Sequence, residues 1–306
     1  MLRLYTHPAC LQHDPGPGHP ESPARLAAVL RALDHDRFAA LDRVEAPRAT
    51  RGQLLRVHDA AHVARILDAR PGDEALVLDE DTRMSAGSAE AALRAAGAVV
   101  AAVDAAMAGE AAHAFCAVRP PGHHATPDRA MGFCLFDNVA VGAAHALTAH
   151  GLKRVAIADF DVHHGNGTQA IFEREPRVLF ASSQQWPLYP QSGGEDECGV
   201  GNVVNGCLSA GDGSYAFREL WEGRLLPRLR AFRPQLLLVS AGFDAHRDDP
   251  LADLRLGSED YAWLTGKLVD IAREHAGGRL VSTLEGGYDL AALARCAAAH
   301  VAALAG

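Results

Sequence analysis

Residues 154–167 read RVAIADFDVHHGNG. The segment Arg154–Ala158 is apolar and short, as a strand buried on both faces must be, and the chain then enters two carboxylates, two imidazoles and two glycines. The same layout recurs three times. Ala114–Val118 (AFCAV) runs into Arg119-Pro-Pro-Gly-His-His, Leu236–Ser240 (LLLVS) into Ala241-Gly-Phe-Asp-Ala-His, and Leu280–Thr283 (LVST) into Leu284-Glu-Gly-Gly-Tyr-Asp. Val178–Ala181 (VLFA) is a further strand, and helix-forming stretches lie between, the longest being 86–109. Strands alternating with helices predict an α/β fold with a central, mostly parallel sheet. Ligands of such sheets bind beyond the carboxyl ends of the strands, so these four polar loops are where chemistry is expected.

The 306 residues are 48% hydrophobic, with 29 Lys plus Arg against 38 Asp plus Glu and a formal net charge of −9. That balance argues against direct nucleic-acid binding through a basic face. The six cysteines form no C-x-x-C pair, as expected of reduced thiols in a cytoplasmic protein. Neither a signal-like apolar run at the N-terminus nor about 18 uninterrupted apolar residues elsewhere suggests a membrane partner. No linker or repeat divides the chain, so 1–306 reads as one domain. Ser22-Pro23 predicts an N-cap and first helical residue, with a helix through about Leu33. The Gly-, Ser- and Pro-rich stretch 184–214 reads as a long functional loop.

Asp161 and His163, two residues apart in an extended segment, share one side of the chain, and Asp244 at a neighbouring strand end supplies a third donor. Three oxygen and nitrogen ligands with a position left for water describe a catalytic zinc site. A lone D-x-H is more often a buried imidazole–carboxylate pair; four loaded strand ends together favour the metal. His123 and His124, behind two prolines and a glycine, suit proton transfer, with Asp159 and Asn166 as partners for their second ring nitrogens. Tyr288 adds a phenol able to donate to an oxyanion.

The motifs RPPGHHA (119–125), GFC (132–134), DFDVHHGNGTQ (159–169), SAGFDAH (240–246) with DPL (249–251), LEGGY (284–288) and HPE-x-P-x-R (19–25) resemble the zinc-dependent histone deacetylase family, especially its class II-like bacterial branch. The resemblance implies a three-layer arginase–deacetylase fold and hydrolysis of an N-acetyl amide on the ε-amine of lysine in a protein or peptide. It implies one Zn2+ on Asp161, His163 and Asp244. His124 matches the general base and acid, His123 its companion, Asp159 and Asn166 their partners, and Tyr288 the oxyanion donor. Phe133 and Tyr189 match the channel walls, with Gly132 and Leu251 beside them. Asp81 matches an anchor for substrate backbone and Arg25 the arginine of an acetate-release path. Structural K+ is also implied, through carbonyls of Asp159, Asp161 and His163 with Ser182, and at a second site with Phe172 and Val178. The chain departs from close relatives at SQQWPLYPQSG (183–193), where Gln184 replaces a histidine and Gln191-Ser192 a Gly-Thr pair.

Three rivals remain in view. An acetylpolyamine amidohydrolase would use the same chemistry on a small acetylated amine, but Leu251 offers no counter-charge to a second ammonium. An arginase-like binuclear site needs a carboxylate where Gly165 stands. A non-catalytic acyl-binding protein would lack the histidine pair or the tyrosine, and all three are present.

Overall fold

The structure, a computed structural model, describes residues 1–72 and 74–306. The sheet is built from β1 (Leu2–Thr6), β2 (Asp42–Glu45), β5 (His113–Cys116), β6 (Val155–Asp159), β7 (Val178–Gln185), β8 (Val203–Leu208), β9 (Leu236–Ala241) and β10 (Leu280–Leu284). A two-stranded antiparallel ribbon, β3 (Leu76–Val77) with β4 (Arg83–Met84), stands apart from it. The helices are α1 (Pro23–Leu33), α2 (Arg51–Leu54), α3 (Ala60–Leu67), α4 (Ser88–Ala108) and α5 (Asn138–Thr148). They continue as α6 (Asn166–Phe172), α7 (Ser214–Leu220), α8 (Leu226–Phe232), α9 (Ser258–His275) and α10 (Leu290–Ala305). Trp221–Leu225, between α7 and α8, is a π-helical turn.

All eight strands of the main sheet run parallel, in the order β2-β1-β5-β10-β9-β6-β7-β8. Helices cover both faces, the three-layer α/β arrangement expected from the alternating pattern. Every residue of β6, β9 and β10 is buried, which explains their unbroken apolar runs. The four strands with loaded ends are four consecutive neighbours, β5-β10-β9-β6. Asp159 stands level with Ser240, Ser240 with Thr283, and Thr283 with Cys116, so the four polar loops leave the sheet along one line.

The expected strands and helices are present with ends shifted by a residue or two, except that β7 runs four residues past the expected Ala181 to Gln185, and α1 spans Pro23–Leu33. Ser22 takes the extended N-cap conformation, but its side chain makes no capping bond. Three strands of the main sheet, and both strands of the ribbon, were not expected. β1 carries Arg3, whose guanidinium bonds Asp42 on β2 at 2.7 Å, and β2 is a short edge strand with alternate residues exposed. β8 corrects the reading of 184–214 as one loop: it carries Asn205 and Gly206, and a side chain on Gly206 would crowd Leu220. α4 is long and apolar enough to cross a membrane by length and composition alone, yet 67% of its apolar window is buried in the protein. Gly142 of α5 lets the two helices approach closely, because a Cβ there would overlap Val99.

A buried charge array fastens the N-terminal segment to the site. Glu21 accepts from Arg119 Nη2 at 2.6 Å and from Arg25 Nη1 at 2.9 Å, with all three side chains fully enclosed. Arg119 also donates to the carbonyls of Cys10 and His13, and Arg25 to those of Glu285 and Gly287. Burial opposes ionisation of Glu21, but Arg119, His13 and Arg25 together outweigh it and hold the carboxyl well below the usual range. Removing the one anion would leave two guanidiniums unpaired. Glu21→Ala should therefore lose about 3–5 kcal/mol of stability in urea unfolding followed by circular dichroism, and a loss under 1 kcal/mol would contradict this account.

Candidate active site

The end of β6 carries Asp159, and the chain bends through 160–165 before α6 begins at Asn166. The segment 161–163 is bent rather than extended, so the expected reason for Asp161 and His163 sharing a side is corrected. Backbone donors bring them together instead: His163 N–H bonds Asp161 Oδ1 at 2.9 Å, and Asp161 N–H bonds Asp159 Oδ1 at 3.1 Å. Asp244, just beyond β9, accepts from Val162 N–H at 2.9 Å, and Asp161 accepts from Gly286 N–H at 2.8 Å. His163 Nδ1 then lies 3.1 Å from Asp161 and 3.2 Å from Asp244. Gly242 and Gly286 leave room for this, since a Cβ on either would overlap these carboxylates.

The donor set tests well against a divalent metal. One atom each from Asp161, His163 and Asp244 lie within 4.8 Å of one another, all buried. Burial and the Asp161 carboxylate push Asp244 up to about 7, and the two carboxylates, against burial, push His163 up to about 10. Such a group holds a proton only because its negative charge is uncompensated, the condition a cation relieves. Asp104, His145 and His150 form a second cluster of metal-capable groups. There Arg56 donates to His145 Nδ1 at 2.8 Å, leaving Nε2 to carry the proton it gives Asp104 at 2.7 Å, and the cluster is satisfied as hydrogen bonds.

Beside the metal-capable group stand the two imidazoles, ring centroids 4.1 Å apart. His123 Nδ1 bonds Asp159 at 2.9 Å, and His124 Nδ1 donates to Asn166 Oδ1 at 2.7 Å, as their sequence partners predicted. The pairs differ in charge. His123 is raised well above the ordinary value because Asp159 and Asp161 outweigh burial. His124 is lowered well below it by burial, then by His123 and His163. His164 points away, bonded to Ser192 Oγ and Gln169 Oε1. A side chain at Gly165 would overlap the Asp159 carboxylate, so the carboxylate of a binuclear site has no place there.

A cavity of about 190 Å³ opens above these groups, lined by Asp81, His124, Gly132, Phe133, His163, Leu188, Tyr189, Leu251 and Tyr288. Gly132 has φ +55° and faces the His124 ring so closely that a Cβ would overlap it. Asp249 accepts from the backbone N–H of Tyr288 at 2.7 Å and of Leu251 at 3.0 Å, tying two parts of the lining together. Leu188, Asp249 and Glu285 were given no role from sequence, although Asp249 and Glu285 stand in the DPL and LEGGY motifs. Leu188 lies in the quoted WPLYP run, while Glu285 bonds Gly122 N–H at 2.6 Å across 163 residues, which no local pattern signals.

Arg25, Ser182, Phe172 and Val178 stand outside the cavity lining. The Arg25 guanidinium is engaged by Glu21, Glu285 and Gly287 and stands 4.8 Å from the Tyr288 ring. The Ser182 hydroxyl, expected at a K+ ion, donates to Gln184 Oε1 at 2.8 Å. The carbonyls of Phe172 and Val178, expected at a second K+ ion, accept from the Asn202 carboxamide at 2.7 and 2.9 Å, with Glu175 O at 3.1 Å. An amide nitrogen thus sits where the cation was expected. The replacement at Gln184 has a similar effect, since its Nε2 bonds Gly193 O at 2.6 Å and holds the departing loop.

The family profile described as Histone deacetylase domain matches residues 19–304. The chain belongs to the histone deacetylase family. It is 43% identical to the histone deacetylase-like amidohydrolase of Pseudomonas aeruginosa, over 94% of this chain and 77% of that protein. It is 37% identical to a probable deacetylase of Archaeoglobus fulgidus, over 93% and 80% respectively. The crystal structure of the HDA15 HD domain superposes with a TM-score of 0.93 at 34% identity, covering 99% of this chain and 88% of that one. Membership makes the chain a hydrolase of the deacetylase class in a family that generally depends on zinc. Asn202→Ala would leave the three carbonyls without their donor and should lower stability by about 1–3 kcal/mol. An unfolding midpoint unmoved by Asn202→Ala, or a wild-type midpoint raised by potassium over sodium, would contradict that assignment.

Proposed function

We infer that this chain removes the acetyl group from the ε-amine of lysine in a protein or peptide. The observation that carries this reading is the neutral, Asn166-held His124 beside three metal-capable donors and a phenol at the floor of an apolar cavity. A zinc ion held by Asp161, His163 and Asp244 would supply Lewis acidity toward the amide carbonyl. With Nδ1–H given to Asn166, His124 keeps the Nε2 lone pair for the proton of an attacking water, then returns that proton to the departing amine. Cationic His123, paired with Asp159, keeps His124 neutral by repulsion until that proton arrives. Burial holds the Tyr288 phenol well above its usual value despite Arg25, so it stays protonated and donates to the oxyanion.

Substrate choice follows from the walls. Phe133, Leu188, Tyr189 and Leu251 present apolar surface suited to the methylene stem of a lysine. A small acetylated amine is the second reading, favoured by Asp81 at the mouth, whose carboxylate could meet a distal ammonium. Side-by-side turnover of an acetyl-lysine peptide and acetylputrescine, with metal analysis, decides between them. The peptide should have the higher kcat/KM with about one zinc per chain; faster acetylputrescine hydrolysis reverses the preference, and active protein free of divalent metal removes the mechanism.

The Asn166 partner also sets the pH response. A carboxylate there favours imidazolium and raises the His124 pKa, so the neutral base is lost at higher pH. Asn166→Asp should move the acid limb of kcat/KM upward by about one pH unit or more, and an unmoved limb would exclude His124 as the titrating base.

A further inference from the structure

Among the described residues Phe133 is one of three non-glycine residues with positive φ, at +67°, and Gly132 before it stands at +55°. Two successive residues in the left-handed region turn their N–H groups toward the loop that follows β3. Gly132 N–H bonds Asp81 Oδ1 at 3.1 Å, and Phe133 N–H bonds Thr82 Oγ1 at 3.0 Å. The Thr82 hydroxyl, fully buried, donates its own proton to the same Asp81 Oδ1 at 2.7 Å. It therefore acts as donor and acceptor at once, a role that a serine can fill and a valine cannot.

The aromatic ring is held from the same loop. His19 Nδ1 accepts from Glu21 N–H at 3.1 Å, so Nε2 carries the proton and gives it to the Asp81 carbonyl at 3.0 Å. The His19 ring then meets the Phe133 ring edge-on, with centroids 4.8 Å apart, while Tyr288 meets Phe133 at 5.8 Å. Among the described residues only Oδ1 of the Asp81 carboxylate is hydrogen-bonded, which leaves Oδ2 for a ligand at the cavity mouth.

We propose that Thr82 is a positioning residue that, with Asp81, sets the place of the Phe133 wall and so the fit of the acyl-bearing chain. Asp81 thus has two duties on two oxygens, holding the wall with Oδ1 and meeting substrate with Oδ2. Binding of any substrate that passes Phe133 depends on the first duty, whether or not that substrate has a peptide backbone. This inference rests on the acetyl-amine hydrolysis proposed above for its kinetic readout, but its structural readout is independent of any substrate.

The test uses Thr82→Val, Thr82→Ser and Asp81→Ala in the full chain, with an acetyl-lysine peptide and acetylputrescine as substrates. Thr82→Val should raise KM about tenfold for both, the loss of one hydrogen bond, with kcat within about twofold and the pH profile unmoved. Thr82→Ser should restore KM. Asp81→Ala should raise KM for both, but it also removes the carboxylate that meets the peptide backbone or the acetylputrescine ammonium, so its hold on the wall is read from hydrogen exchange. Amide hydrogen exchange followed by mass spectrometry should quicken at 132–133 in Thr82→Val and Asp81→Ala but not in Thr82→Ser. Unchanged exchange in Thr82→Val overturns the proposal whatever the substrate. Unchanged exchange at 132–133 in Asp81→Ala also overturns it, and this variant decides the matter if Thr82→Val does not fold. Failure of the wild-type chain to cleave either substrate would count against the proposed activity alone, since the exchange result still stands.

Discussion

Asp161 and Asp244 lie in one enclosed space, and two carboxylates cannot both ionise there without a compensating cation or proton. Much of the surrounding structure answers this constraint. Backbone N–H groups of Val162, His163 and Gly286 point at the two carboxylates, and glycines at 242 and 286 stand where any Cβ would overlap them. His163 adds an imidazole that meets both. What these donors leave uncompensated is the charge of a divalent cation, which links the bend after β6 to the zinc dependence general in the family.

The other loops are joined by enclosed charges of opposite sign. Arg25 binds two carbonyls of the Tyr288 loop, and Glu285 in that loop binds the N–H groups of Gly122 and His123 at 2.6 and 3.2 Å. Arg119, at the start of the histidine loop, shares Glu21 with Arg25. The phenol and the imidazole pair are therefore held against a common framework, not by their own flexible turns. Such precision is costly in desolvation and is stable only because every guanidinium has several acceptors.

Strands and helices were legible wherever burial on both faces wrote an unbroken apolar run, as in Val155–Ile157 and Leu236–Val239. They were hidden where a strand carries polar residues that find distant partners: Arg3 of β1 pairs with Asp42 and Glu110, and Asn205 of β8 bonds Gln169. The histidine pair and its partners were legible because each lies in a dense local motif. Thr82, Asp249, Glu285 and Asn202 were not, because each acts through a bond to backbone in another segment, and a lone threonine or asparagine looks the same whether it caps a turn or fills a cradle.

By itself the sequence determined the alternation of buried strands with helices, the four polar strand ends, and the residue types able to hold a metal and move a proton. Those are local properties: burial dictates apolar runs, and donor atoms depend on side-chain identity. Only the tertiary structure decided that β10 and β9 slot between β5 and β6, bringing loops up to about 160 residues apart onto one edge. It also decided that Arg25 packs against the phenol ring, and that the Asn202 amide bonds the carbonyls expected at a cation. These outcomes depend on which backbone groups are left unpaired once the sheet has closed, a quantity defined by the folded chain as a whole.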